Sequence, residues 1–74
     1  MVEIDERFDE ILKNVLDLDD IDSSLSMETC DNWDSLNHLR LITVIEQEFS
    51  LDISIEKSEN LTSYTELKEF LKNQ

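Results

Sequence analysis

The 74-residue chain contains neither Gly nor Pro, and this absence restricts its folds more than any other feature. Tight hairpin turns and glycine-rich phosphate loops need residues that accept positive φ easily, as Gly does. A β-barrel with many turns is therefore disfavoured. Turns must come from Asp, Asn and Ser, which the chain supplies in clusters. We expect a single all-α domain spanning residues 1–74.

The formal net charge of −13 makes nucleic acid and anionic membrane poor partners, because both repel an acidic surface. Basic protein surfaces are favoured, and electrostatic attraction speeds their encounter more than it tightens binding. No apolar run approaches transmembrane length, and the acidic N-terminus is unlike a signal peptide. Cys30 is the only cysteine, so no internal disulfide can form. We expect a cytoplasmic monomer that does not insert into membranes.

Apolar residues at helical spacing predict four helices. These are helix one over residues 3–16, helix two over 36–49, a short turn of helix over 55–60 and a last helix over 64–73. Residues 17–32 are polar and non-periodic and form a long loop between the first two helices. The stretch "SYTE" (63–66) is a capping box. Short later connections favour antiparallel neighbours, hence a small four-helix bundle with three longer helices and one short helix.

Helix two carries apolar residues on more than one side of the helical wheel. The predicted core face consists of Leu39, Ile42, Ile45 and Phe49, with Leu41 at its margin. The apolar residues outside that face are Leu36 and Val44, which lie near Asn37, Arg40, Thr43 and Gln47. We interpret this second face as a contact surface for a partner.

Apolar residues in and after the long loop are predicted to attach it to the bundle. Ile21, Leu25 and Met27 are isolated in the polar loop, and Trp33 directly precedes helix two. The amphipathic tryptophan is best explained as a structural anchor.

Asp34 and Ser35 open helix two, and their spacing supports two interpretations. In the first, Asp34 caps free backbone N–H groups and Ser35 is an ordinary first helical residue. In the second, the unpaired N–H groups and the positive end of the helix dipole favour a phosphate esterified to Ser35. Local physics alone leaves both open.

Two other kinds of site are disfavoured. Ser35 and His38 lie one turn apart, but a nucleophile and base also need an orienting group, an oxyanion site and shelter from water. We interpret His38 as a partly buried structural residue. The acidic run at 17–28 resembles a calcium loop, yet Asp22 stands where Gly is needed and Ile21 where an oxygen ligand is needed. We therefore expect neither catalysis nor a metal site.

Three segments, in this order, resemble the acyl carrier protein family: "DSL" (34–36) opening a helix that ends in "IEQEF" (45–49), then "LDISIE" (51–56), then "LTSYTELKEFL" (61–71). The resemblance covers nearly the whole chain and is strongest from Trp33 to Leu71. It implies the carrier fold: helix one, a long loop, Asp-Ser-Leu, helix two, a short helix and a final helix.

The resemblance also implies a function without catalysis. Ser35 matches the serine that receives 4′-phosphopantetheine from coenzyme A through a phosphopantetheinyl transferase. The arm then carries an acyl or aminoacyl group as a thioester between loading and transfer enzymes with basic docking patches. Asp34 and Leu36 match the flanking residues that modifying enzymes read, and we assign both to partner recognition.

The chain departs from the commonest carrier pattern on helix two. Where acidic residues usually follow "DSL", it has Asn37, Arg40 and Gln47, while Glu46 and Glu48 remain. With Val44, we assign these three to partner recognition. "WDSL" resembles carriers that often serve specialised, polyketide-type pathways rather than bulk fatty acid biosynthesis. The alternative is a small acidic helical interaction module whose serine is never modified.

Overall fold

A computed structural model describes residues 4–74, and within them the chain is all-α. In chain order the helices are α1 (Ile4–Leu16), α2 (Ser35–Phe49), α3 (Ile55–Glu59) and α4 (Tyr64–Lys72). Each bound within the described residues agrees with the sequence prediction to within one residue. Residue 3, the predicted start of helix one, lies outside the described part. Across residues 4–74, β-pairing is limited to an isolated antiparallel bridge between Ser26 and Ser63.

The hydrophobic core forms where α1 meets α2 and α4, both of which contact it. α1 contributes its amphipathic face, which is Phe8, Ile11, Leu12 and Leu16. Facing residues come from α2 and α4, namely Leu41, Ile42, Ile45, Leu67 and Leu71. Trp33, Ile53, Leu61 and Tyr64 complete the core from the connecting segments and the start of α4. One apolar cluster therefore holds the three longer helices together.

The predicted core face of α2 is wrong at two positions. Leu41, expected at the margin, is fully buried at 0% exposure, whereas Leu39, expected inside, is 59% exposed. Ile42 and Ile45 are buried as predicted, and Phe49 is half-buried. The buried arc of α2 is therefore centred on Leu41, Ile42 and Ile45, and Leu39 lies outside it.

The long loop packs against the hydrophobic core through the predicted apolar residues. Ile21, Leu25 and Met27 are half-buried against the core, and Trp33 is only 1% exposed. Backbone hydrogen bonds join Met27 N to Thr62 O and Tyr64 N to Leu25 O, each at 2.9 Å. These bonds fasten the middle of the loop to the segment that begins α4.

Polar caps define the later helix starts. Ser54 Oγ accepts a hydrogen bond from Lys57 N at the start of α3. At α4, Ser63 Oγ accepts from Glu66 N, and the Glu66 carboxylate accepts from the Ser63 hydroxyl. The capping box predicted in "SYTE" therefore forms, and each cap contributes about 1 kcal/mol.

Two helices end in left-handed residues that are not glycine. Asp17 follows α1 and Ser50 follows α2, both with φ of 54°. The next backbone N–H in each case turns back to the helix, joining Leu18 to Lys13 O and Leu51 to Glu46 O. Most chains place Gly at this position, so a chain without Gly accepts a strained residue in its place.

Candidate functional site

Ser35 is the first residue of α2 and its side chain is exposed to solvent. Asp34 precedes it with extended backbone and caps the helix, since Asp34 Oδ1 accepts a 2.8 Å hydrogen bond from Asn37 N. The Asp34 carbonyl accepts the first intrahelical bond from His38 N. The capping predicted for Asp34 is confirmed, and Ser35 is exposed at the capped end of the helix.

The loop before Ser35 is held by side-chain hydrogen bonds to both neighbouring elements. Asn32 Nδ2 donates to Leu16 O at the end of α1, at 2.9 Å. Asn37 Nδ2 on α2 donates to Asn32 O at 2.7 Å. Asn37, assigned to partner recognition from the sequence, is half-buried and its amide is engaged within the chain. The start of α2 is therefore anchored against α1.

His38 is buried at 7% exposure, as the sequence predicted, and both ring nitrogens are engaged. Trp33 Nε1–H donates to Nδ1 at 3.1 Å, and Nε2 lies 2.7 Å from Ser58 O. Because Nδ1 accepts and a carbonyl can only accept, the imidazole is neutral with its proton on Nε2. The base of a Ser–His pair must contact its nucleophile, and His38 contacts Trp33 and α3 instead.

An open apolar groove of about 460 Å³ begins at the residue after Ser35. Its walls are the end of α1 and the outer side of α2, formed by Asn14, Val15, Leu36, Leu39, Arg40, Thr43 and Val44. Leu36 is 60% exposed and Leu39 is 59% exposed. Together with Val15 and Val44 they form a contiguous apolar surface, and a contiguous exposed apolar surface is typical of a contact site.

Three of the predicted partner residues, Leu36, Arg40 and Val44, share this groove. Gln47 is exposed on the same helix but does not line the groove, and Asp34 and Asn37 are engaged in the cap and the loop contact. The sequence reasoning missed Leu39, Asn14 and Val15. A signal for Leu39 was present, since it lies four residues before Thr43 and three after Leu36 on one helical stripe.

The carboxylates on the second half of α2 contact other parts of the chain and do not line the groove. Glu46 Oε2 accepts a 2.9 Å hydrogen bond from Ile53 N, which fixes the segment after the helix. Glu48 pairs with Arg7 of α1 at 3.5 Å. Arg40 is exposed, and among the described residues it takes part in none of the ion pairs. The groove side of α2 therefore presents one cation among apolar side chains.

A second charged cluster joins α1 to α4. The Tyr64 hydroxyl donates to Asp9 Oδ1 at 2.8 Å and accepts from Lys68 Nζ at 3.0 Å. Asp5 Oδ1 lies 3.5 Å from Lys68 Nζ and 3.4 Å from Lys72 Nζ, as ion pairs without hydrogen-bond geometry. Burial raises the pKa of Tyr64, and the hydrogen bond to Tyr64 raises the pKa of Lys68. None of these residues lines the groove between α1 and α2, so the cluster lies apart from it and connects α1 to α4.

The acidic loop is ordered by local contacts. Asp22 Oδ1 accepts a 3.0 Å hydrogen bond from Ser24 N, and this bond, together with the nearby Ser24 side chain, lowers the pKa of the Asp22 carboxyl. Over residues 4–74, no group of three His, Cys, Asp or Glu side chains is arranged to hold a metal ion. In the same part of the chain, no helix has both the length and the apolar character needed to cross a bilayer.

Comparison of the sequence with protein-family models and with curated proteins gives no significant match to either.

Proposed function

We propose that the protein is an acyl carrier whose Ser35 bears a 4′-phosphopantetheine arm. The observation that carries the proposal is the exposed Ser35 hydroxyl on the first residue of a capped, anchored helix beside an apolar groove. The order of elements supports a carrier-type four-helix bundle: helix, long loop, a helix beginning at Asp-Ser-Leu, short helix and final helix.

The surroundings of Ser35 fit the group. An attached phosphodiester would lie at the N-terminus of α2, where backbone N–H groups and the helix dipole favour negative charge. In the loading step, Ser35 Oγ attacks the β-phosphate of coenzyme A and loses its proton, a new P–O bond forms, and 3′,5′-ADP leaves. A separate transferase supplies the base for that step, since both nitrogens of His38 are engaged within the fold. When bound, the arm supplies a terminal thiol that holds an acyl or aminoacyl group as a thioester.

The chain's own residues hold the attachment point and present it to enzymes. Asp34 and the hydrogen bond from Asn37 to Asn32 keep the start of α2 ordered. An attached arm would therefore be held at a fixed point of the fold. The net charge of −13 speeds encounter with enzymes that carry basic docking patches and allows easy release. We place the protein in a reducing compartment such as the cytoplasm, where Cys30 stays a thiol.

Incubation with coenzyme A and a broad-specificity phosphopantetheinyl transferase tests the proposal. Intact-mass measurement should show the addition of one phosphopantetheine group to the wild-type chain. Ser35→Ala should stay at its starting mass, while Ser58→Ala, which removes a buried serine in α3, should be modified like wild type. A wild-type chain left unmodified by an enzyme that loads a known carrier in parallel would overturn the proposal.

The second candidate is an interaction module whose serine is never modified. It is favoured by one observation: the groove and its exposed leucines, Leu36 and Leu39, do not depend on any group attached to Ser35. The same mass measurement separates the two functions, because only the carrier accepts the arm.

A further inference from the structure

The groove between α1 and α2 differs in charge from the rest of the molecule. The chain as a whole has six basic residues against nineteen acidic ones. Four of the basic side chains already have partners: Arg7 pairs with Glu48, Lys68 and Lys72 pair with Asp5, and Lys57 lies over the ring of Phe70. Within the described residues, Arg40 has no such partner, and it is the basic residue that lines the groove.

The acidic residues nearest in sequence are directed into internal contacts. Glu46 accepts a hydrogen bond from Ile53 N, and Glu48 forms an ion pair with Arg7. At the other end of α2, Asp34 holds Asn37 N. A partner that covers the groove therefore meets two exposed leucines and a guanidinium, although the chain as a whole carries a net charge of −13.

We propose that the groove binds a partner protein through an apolar helix that carries a carboxylate opposite Arg40. Leu36 and Leu39 supply the apolar contact, and the guanidinium offers a planar pair of donors that suits a carboxylate. A lysine or arginine at that point of the partner is rejected by like charge. Basic residues of the same partner lie outside the groove, since the chain as a whole is acidic. The proposal deepens the carrier function but requires no modification of Ser35.

The proposal is tested with a displayed library of helical peptides. Each member has a fixed leucine stripe, and the positions flanking the stripe are randomised. Three forms of the unmodified full chain serve as separate targets for selection: wild type, Arg40→Glu and Lys13→Glu. Lys13 is exposed on α1 and does not line this groove, so its replacement changes the net charge equally while leaving the groove intact.

Wild type and Lys13→Glu should enrich Asp and Glu at one flanking position, whereas Arg40→Glu should enrich Lys and Arg there. A selected acidic peptide should bind wild type about two- to fivefold more tightly than its Lys-substituted form, the size expected for a partly exposed ion pair. Binding should be lost in Leu39→Asp, whose helicity and melting temperature should match wild type because Leu39 is 59% exposed.

Several results would overturn the proposal. One is that wild type and Arg40→Glu select the same residues at the flanking positions of the peptides. Another is that neither protein enriches charged residues there. A third is binding that survives Leu39→Asp, which would place the peptide elsewhere. A concentration-dependent dimer that Arg40→Glu dissociates, measured by sedimentation, would assign the groove to a second copy of the chain. Because the selection uses unmodified protein, failure of the transferase reaction and failure of the peptide selection are separate outcomes.

Discussion

Trp33 and His38 share a buried hydrogen bond of 3.1 Å, from the indole N–H to Nδ1 of the imidazole. The other nitrogen of the His38 imidazole, Nε2, lies 2.7 Å from Ser58 O on α3. The histidine therefore links the end of the long loop, the start of α2 and α3 in one polar connection inside an apolar core. This connection holds the segment that presents Ser35.

Replacing His38 with Leu should lower the free energy of unfolding by about 1–3 kcal/mol. The substitution leaves the buried Trp33 N–H without a partner, and an unpaired buried group costs about 1–3 kcal/mol. The Ser58 carbonyl loses its contact with Nε2 but keeps its hydrogen bond from Leu61 N. Urea unfolding followed by the fluorescence of Trp33, the only tryptophan, measures the change. Gln47→Ala, at an exposed position, should stay within about 0.5 kcal/mol of wild type. A loss below 1 kcal/mol in His38→Leu would contradict this account.

A matched pair of leucines tests the orientation of α2. Leu41→Ala should destabilise the protein by about 2–5 kcal/mol, because a fully buried leucine leaves a cavity. Leu39→Ala should change stability by no more than about 0.5 kcal/mol, since the side chain is mostly in solvent. Thermal unfolding monitored by circular dichroism gives both values. Equal losses for the two variants would mean that the buried arc of α2 is assigned incorrectly.

Ser50→Gly should stabilise the protein by about 0.5–1 kcal/mol. Ser50 has φ of 54°, where a residue with a Cβ is strained, and Gly relieves the strain at some cost in chain entropy. Asn60→Gly is the control, because Asn60 ends α3 at φ of −93° and gains nothing from Gly. Urea midpoints at constant m-value compare the variants. A gain in Asn60→Gly equal to that in Ser50→Gly would refute the role of the left-handed backbone.

Stability should fall at alkaline pH through the cluster that joins α1 to α4. The pKa of Tyr64 is raised by burial from 10.0, and that of Lys68 is raised from 10.5 by its hydrogen bond to Tyr64. A group whose pKa is raised on folding stabilises the protein below its unfolded value, and this contribution is lost as pH rises through the folded value. Wild type should therefore lose melting temperature above about pH 10.

Tyr64→Phe supplies the comparison for that alkaline transition. It should cost about 1 kcal/mol at neutral pH through the lost hydrogen bond to Asp9 and should show a shallower decline between pH 9 and 11 than wild type. Melting temperatures across this range provide the measurement. Parallel curves for the two proteins would show that the cluster does not control the alkaline transition.

Arg40→Glu should increase malonyl loading, once the arm is attached, by a fatty acid synthesis enzyme whose docking patch is basic. The arginine is exposed on the groove side of α2 and repels such a patch, whereas a glutamate would pair with it. We expect kcat/KM to rise about two- to fivefold, the size of a surface ion pair. Lys13→Glu should change loading less, because it adds the same charge away from the groove. Equal or poorer loading of Arg40→Glu would count against the prediction.

The helices and their ends were predictable from the sequence because their causes are local. Apolar spacing and polar caps act within a few residues, so helix bounds and the caps at Asp34 and Ser63 followed directly. The absence of Gly likewise predicted that turns would be made from residues such as Asp and Ser. Asp17 and Ser50 are the residues with positive φ after α1 and α2. The position of Ser35 at the start of α2, directly after its cap, followed from the same local signals.

The tertiary structure decided which face of α2 is buried and where the groove lies. Apolar residues surround much of α2, so its wheel alone does not choose between Leu39 and Leu41. That choice depends on where α1 packs, which is set by residues far away in the chain. The same holds for the bond from Trp33 to His38 and its continuation to Ser58, since burial and pairing of polar groups depend on distant neighbours. Local periodicity determines that a helix forms, while the contacts of its neighbours determine which side of it remains open to a partner.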